Sequence, residues 1–374
     1  MSRVSAKELF YLIFIFEIGS AILLDPAKQA MKDSWLAILL GYAASIPLFL
    51  IYIALAKLSG KKTMVGILLA LLGKKAGALA SSLYILYFLY ICARVLRDFG
   101  ELLIITAYDE TFLVVISSFM MLAVMYFGIK RFHVIAAVSK PLFYSITIPF
   151  VIVVSFEVIS GIVDLHELLP IAQNGPMPIL KTIFPTIMTF PFGEMVVFTM
   201  FYPLVCDSVK LVKITLSSIF LATLVLVTTA ALHVSILGAE MTKNFVFPIL
   251  ATVSLINISD FIQRLDSIVV ILMIIVGFSK VFLFFYAALR GTVELTGTKN
   301  PIPPALIYGI SLIACSLFIA NTQYEHFQEG LVFVPYFLHI PFQMVFPSLI
   351  LGILWLKKKK AQKKGASNEI YKEI

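Results

Sequence analysis

FEIGSAILLDP, residues 16–26, lies in the first long apolar run of the chain and is too polar for an unbroken helix. A membrane-crossing helix is evenly apolar because lipid offers no partner to a charge or to a free peptide group. Here a carboxylate, Glu17, is followed by Gly19 and Ser20, and Pro26 closes the stretch. Glycine tolerates unusual backbone angles and proline lacks a donor N–H, so the helix is predicted to break near Gly19.

The surroundings explain why a break there matters. The chain has 374 residues, 60% hydrophobic and only 13% charged, with a mean hydropathy of +1.00. No water-soluble globule solvates such a surface. Apolar runs of about 20 residues, the length of one helical span, recur along the chain, whereas barrel strands would alternate in short segments. The reading is an all-α integral membrane protein. Ten spans are predicted, at about 8–24, 35–57, 78–105, 111–128, 132–160, 180–204, 213–238, 266–290, 302–320 and 332–356. "GTKNPIPP" marks the gap before the ninth.

An even number of spans puts both ends on one side, and basic residues identify that side as cytoplasmic. Of the 29 lysines and arginines, twenty fall on the terminal side and five (Lys28, Lys32, Lys181, Lys243, Arg264) on the other. Four more (Arg94, Arg97, Lys140, Lys280) fall inside spans. The net charge of +8 is therefore a topological asymmetry, concentrated in "KKKKAQKK" and in the loop after the second span. That tail is read as a stop-transfer flank, with contact to anionic lipid as the alternative. Basic residues are not interleaved with stacking aromatics on a soluble domain, which argues against nucleic-acid binding. The organisation is one transmembrane domain, 1–374, with a first repeat over about 8–160, a second over about 180–356, and a cytoplasmic basic tail over 357–374.

A second irregular stretch, TFPFGE at 189–194, lies in the sixth span with Pro185, Pro191, Gly193, Glu194 and Pro203. The first span runs outward and the sixth inward, so the two breaks are related by inversion across the midplane. Irregular backbone at membrane depth must be buried in protein or line a cavity. Interrupted helices at matching places in two five-helix halves point to a midplane substrate site. Freed N–H groups suit a carboxylate and freed carbonyls an ammonium group or cation, a combination that fits a zwitterionic amino acid. Plain packing kinks are the competing reading.

"GSAILLDP" in the first span, "RDFGE" in the third, "TFPFGEMVVFTMFYP" in the sixth and "FIQRLDSIVVILMIIVGFSKV" into the eighth carry a specific resemblance. Over essentially its whole length the chain resembles the B subunits of spore germinant receptors, within the amino acid/polyamine/organocation superfamily. The resemblance implies the leucine-transporter-like five-plus-five inverted repeat with broken helices 1 and 6 and a location in the spore inner membrane. It also implies assembly with an A subunit and a C lipoprotein subunit, with an amino acid-like nutrient starting germination. Carried over by position, it places Gly19, Ser20 and Ala21 of the first helix and Thr189, Phe190, Phe192 and Gly193 of the sixth at the ligand. Tyr87 or Tyr90 would close the pocket from the third helix and Phe278 or Ser279 from the eighth. "EIGSAILL" is poorer in glycine than the superfamily's usual motif, which argues against a large substrate.

Ionisable groups at membrane depth are costly and need partners or a purpose. In "ARVLRDFGELL", Arg94 with Asp98 and Arg97 with Glu101 are i,i+4 pairs, read as a structural network or an outer gate. Lys140 and Lys280 lack an opposite charge within a turn. The resemblance makes Lys140 a stand-in for a coupling ion, against the alternative of a lysine snorkelling to the interface. Glu17 and Glu194 flank the two breaks, to receive a ligand ammonium or to pair with those lysines. The segment 161–180 is read as a short outer helix and 247–267 as an outer lid. Cys92, Cys206 and Cys315 are read as packing residues. Five histidines form no metal-ligand spacing and no nucleotide or hydrolase motif occurs, so neither enzyme activity nor a cofactor is expected. The leading expectation is a nutrient-sensing receptor subunit. The alternatives are a proton-coupled amino acid permease and a ligand-gated ion or water conduit.

Overall fold

Ser5 starts the first helix. Its hydroxyl accepts the Glu8 N–H at 3.2 Å, while the Glu8 carboxylate accepts the Ser5 N–H at 2.7 Å. This reciprocal cap satisfies two amide donors that the helix leaves open. The computed structural model describes residues 4–206, 209–257 and 265–363, with the side chains of 361–363 excepted. Its helices are α1 (Ala6–Ile18), α2 (Ala21–Leu24), α3 (Ser34–Leu58), α4 (Met64–Thr106), α5 (Leu113–Gly128), α6 (Phe132–Ile159), α7 (Pro176–Lys181), α8 (Leu211–Leu237), α9 (Ala239–Asn244), α10 (Pro248–Ser254), α11 (Asp266–Thr296), α12 (Ile302–Phe318), α13 (Gln323–Gln328) and α14 (Phe346–Lys363). Tighter or looser turns fill Thr182–Ile187, Phe192–Met200 and Pro335–Val345.

Among the described residues seven helical stretches are long and apolar enough to cross a membrane, and an eighth if Ile302–Phe318 and Gln323–Phe333, bent by 107°, form one span. The difference from the ten predicted has a local cause at each missing span. α1 stops after 13 residues, at Gly19, and α5 has only 16 residues. The third span is instead longer than expected. α4 continues back to Met64 through a bend at Gly73, whose φ of 76° excludes a regular helix.

α1 is the axis of the bundle. Residues 12–18 are buried, enclosed by α6, α8 and α11, while α4 packs along α11 and α3 packs on α8 and on the 182–200 segment. The chain start is pinned to the end of that segment, since Val4 N–H donates to Leu204 O at 3.0 Å and Cys206 N–H to Val4 O at 3.1 Å. The two irregular stretches are thereby held side by side. Cys92 is buried, but Cys206 and Cys315 are exposed free thiols, so the packing role holds for Cys92 alone.

Outside the bundle, 161–180 forms a short 3-10 turn at Leu165–Leu168 and then α7. It is tied to the start of α3 by Lys32 Nζ donating to Leu169 O at 2.9 Å and by Asp33 accepting the Ala172 N–H at 2.9 Å. Within 247–267, α10 is a helix of seven residues with Ile249 and Val253 buried. Residues 258–264, with Arg264, and tail residues 364–374 lie outside the described residues.

One buried pair fastens the end of the first segment, past α2. Asp25, with φ 46° at the end of α2, meets His233 Nδ1 of α8 at 2.9 Å, both side chains being buried. Removing one partner strands the other away from water, at a cost of about 3–5 kcal/mol. His233→Leu is therefore expected to lower the thermal midpoint of the detergent-solubilised protein, with Asp25→Asn/His233→Leu recovering part of the loss. A midpoint equal to that of the parent protein would disprove this tie.

Candidate functional site

Gly19 ends α1 with φ 18° and ψ −126°, and Ser20 leads into α2. A side chain at Gly19 has no room, because a Cβ would sit 2.5 Å from Lys280 Cδ and 2.6 Å from Phe16 O. The glycine is required by the approach of α11, whose Lys280 crosses the interruption. Lys280 is fully buried. Its ammonium lies 2.5 Å from Glu194 Oε2, donates to Ser20 Oγ at 3.1 Å, and sits over the rings of Phe190 at 4.8 Å and Phe16 at 5.2 Å. A carboxylate, a hydroxyl and two aromatic faces together compensate for the lost water. Glu17 is buried as well, and neither of its oxygens has a hydrogen-bond partner among the described residues.

A small cavity of about 40 Å³ opens against this cluster. Ser20, Phe190 and Glu194 form one wall, Arg94 and Asp98 of α4 the second, and His326, Gly330 and His339 the third. Its lining thus carries both signs of charge, positive from Arg94 and negative from Asp98 and Glu194. Arg94 donates to the His326 carbonyl and to Tyr90 Oη at 3.2 Å, and it lies 3.7 Å from Glu329. Asp98 meets His326 Nε2 at 2.8 Å. The predicted Arg94–Asp98 pair is therefore replaced by two longer-range ones, because α13 brings its own acceptor and donor between them. Arg97 does pair with Glu101, at 3.2 Å. Its other nitrogen donates to the carbonyls of Ser316 at 3.1 Å, Leu317 at 3.2 Å and Ala320 at 2.8 Å, satisfying acceptors at the end of α12.

Behind the cavity a second network holds the 189–194 stretch. Gln343 Nε2 donates to Tyr87 Oη at 2.8 Å, and Tyr87 Oη meets His339 Nδ1 at 2.8 Å. Tyr52 Oη lies 3.1 Å from Gly193 O and 2.7 Å from Gln343 O. A Cβ on Gly193 would collide with the Gln343 side chain, so this glycine too is fixed by a close approach.

The residues selected from sequence divide accordingly. Ser20, Phe190, Glu194, Lys280, Arg94 and Asp98 come together, with Gly19 and Glu17 against them and Tyr87 one hydrogen bond behind through His339. Ala21 is buried in α2, and Tyr90 reaches the cluster only through Arg94. Thr189 spends its hydroxyl on Pro185 O at 2.9 Å, and Phe192 packs away from the cavity on Tyr42 and Phe49. Phe278 and Ser279 face a different, apolar cleft, because each step along a helix turns the side chain about 100°, which puts Ser279 about 100° and Phe278 about 200° from Lys280. Lys140 is exposed on α6 beside buried Ser139, so it is Lys280 that reaches the break. Tyr52, His326, His339 and Gln343 were not anticipated. The signal available was polarity inside apolar runs, the criterion applied to the lysines but not to these residues.

The sequence model of the family described as spore germination protein matches residues 3–324. The chain is 36% identical to spore germination protein KB of Bacillus subtilis (strain 168), over 97% of this chain and 98% of that protein. It is 24% identical to spore germination protein GerQB of Bacillus cereus, over 85% and 87% of the two chains. In three dimensions it is similar to MhsT, solved in complex with L-phenylalanine, with a TM-score of 0.65 and 14% identity over 93% of this chain and 88% of that one. The helical architecture is therefore that of a leucine-transporter-like fold, and the chain belongs to the spore germination protein family.

Proposed function

We propose that the chain is the nutrient-sensing subunit of a spore germinant receptor, binding a small amino acid-like germinant at the Gly19 interruption, where the cavity of about 40 Å³ widens as Arg94 and Asp98 release their contacts with His326 and Glu329. The observation that carries this reading is the lining of that cavity, with Arg94 and Asp98 on the α4 wall and Glu194 on another. A guanidinium suits an α-carboxylate through paired hydrogen bonds, and a carboxylate wall suits an α-ammonium group. The likeness to a protein solved with L-phenylalanine supports the same ligand class. Phe190 would bound the side-chain end of the germinant.

In this reading α1 with α2 is a broken first span, the 180–204 stretch a broken sixth, and α5 and α12 the fourth and ninth. That arrangement makes ten spans in two inverted halves, with both termini cytoplasmic in the spore inner membrane. The ligand acts by binding one conformation more tightly than another, and the A subunit of a complex that also holds a C subunit reads the change. A proton-coupled permease is the second reading, favoured by one observation: Glu17 is buried beside the Lys280–Glu194 pair without a hydrogen-bond partner among the described residues, a place where a proton could be held and released.

Liposomes containing this chain alone separate the two. Radiolabelled amino acids are expected to bind without accumulating, whereas uptake driven by an inward proton gradient would make the chain a permease. Arg94→Gln is expected to weaken germinant binding by about tenfold or more, the worth of a charge-assisted hydrogen bond. An unchanged dissociation constant would remove Arg94 from the site.

Gly193→Leu is expected to abolish the germination response while the protein remains in the membrane; a normal response would refute the role given to the sixth-span irregularity. Lys280→Met should destabilise the fold by about 3–5 kcal/mol, through the uncompensated Glu194. Lys280→Met/Glu194→Gln should restore much of that, read as thermal midpoints. A harmless Lys280→Met would mean that the pair holds nothing together.

A further inference from the structure

α5 packs on α4, α11 and α12, while α6 packs on α1 and α11. The two helices are consecutive in sequence and both pack on α11, but α5 otherwise packs on α4 and α12 and α6 on α1. Between them runs a cleft of about 880 Å³, within the range of roughly 300–1,000 Å³ usual for small-molecule sites. Its floor is Leu12 and Ile15 of α1, and its length runs from Tyr108 and Val115 past Phe119 and Phe278 to Tyr126 and Lys130. The walls are apolar side chains, many open to the outside: Phe119 is 71% exposed and Val134 51%.

At one end the character changes. Lys130 closes the apolar trough and also lines an adjoining pocket with Arg131, His133, Arg290 and Lys299. This is the end of the bundle where the chain begins, since Val4 lines the same pocket. Lys130 holds its ammonium 4.5 Å from the Tyr126 ring, turned back along the trough. Arg290 Nε is buried without a hydrogen-bond partner among the described residues. A guanidinium N–H kept from water and left unpaired costs energy that a bound acceptor would recover. A long apolar trough ending in a cationic mouth is the shape and charge pattern of one class of molecule.

We propose that this cleft binds an anionic phospholipid, with one acyl chain in the trough over Leu12 and Ile15 and its headgroup phosphate at Lys130, Arg131 and Arg290. Bulk lipid alone would cover an apolar wall without regard to headgroup. The clustered cations make the site selective, because basic pockets between spanning helices attract anionic headgroups. The floor residues belong to α1, so an occupied trough buttresses the helix that ends at Gly19. The proposal rests on the chain crossing a membrane and is independent of whether the Gly19 cavity binds a germinant.

The test places a reporter in the trough. Trp35 and Trp355 are changed to phenylalanine, and a single tryptophan is introduced either by Phe119→Trp in the cleft or by Leu224→Trp, on the 41%-exposed face of α8 away from it. Each protein is reconstituted into phosphatidylcholine vesicles containing a minor fraction of acyl-chain-brominated phosphatidylglycerol or brominated phosphatidylcholine. At the cleft, brominated phosphatidylglycerol is expected to quench several-fold more effectively; at the α8 position the two lipids are expected to quench alike. Lys130→Gln/Arg290→Gln is expected to abolish the several-fold cleft preference, leaving the two lipids to quench nearly alike there. Unchanged quenching from α8 in that variant shows that it is still inserted and folded. Equal quenching by the two lipids at the cleft, an equal preference at both positions, or a preference that survives removal of the two charges would each overturn the proposal.

Discussion

The ammonium of Lys280 is a positive charge set in the apolar middle of a helical bundle, and the elements around it are arranged by the need to compensate it. Placing a lysine at that depth costs about 2.5–3.5 kcal/mol on insertion scales. Glu194, Ser20, Phe16 and Phe190 supply the return, and they come from both irregular stretches. One side chain from α11 thus ties the end of α1, the start of α2 and the 189–194 turn to each other. Glu17 adds a buried carboxyl group without a hydrogen-bond partner among the described residues. A fold seeking only stability would replace such a cluster with hydrocarbon, because well-packed apolar residues often serve as well as a buried ion pair.

The glycines follow from the same geometry. Gly19 lets the Lys280 stem pass, Gly193 lets Gln343 reach the 189–194 turn, and Gly330 lets the Arg94 guanidinium lie against the backbone. Each is a place where a polar or charged side chain meets another element's main chain. The close approaches are therefore part of how the polar centre is assembled, and two of the three fall within the stretches where breaks were anticipated.

The membrane class, the helical content and the two irregular stretches were legible in sequence because they depend on local properties: hydropathy, and where glycine and proline fall. Glu194 and Lys280 were also legible, as charges in apolar surroundings. Their pairing was legible only as one option among several, either glutamate with either lysine, since 86 residues separate Glu194 from Lys280 and only the packing of α11 across α1 singles this pair out. The Arg94–Asp98 expectation failed for the same reason. Helical spacing made the pair available, but α13 offered Arg94 a carbonyl and Asp98 an imidazole in better positions. Phe278 and Ser279 had the correct helix and the wrong face. Tyr52, His339 and Gln343 act through hydrogen bonds across elements distant in sequence, which no local pattern announces.

The same long-range pairs connect the cavity to the rest of the molecule. Arg94 and Asp98 line it, yet each already has a partner on α13 or just beyond it. A zwitterion entering between them would compete with the His326 carbonyl and Glu329 for Arg94, and with the His326 ring for Asp98. Its net affinity is then the difference between the contacts it makes and the contacts it displaces. That exchange is also what a sensor requires, because only a ligand whose binding changes the relative free energy of two arrangements can shift the balance between them. α13 follows a sharp bend after α12 and leads into the Pro335–Val345 segment that carries His339 and Gln343. Freeing His326 would therefore loosen one end of this segment while its continuation still holds Gly193 through Gln343 and Tyr52, so that a charged ligand's contacts would become a movement of one helix against the two irregular stretches.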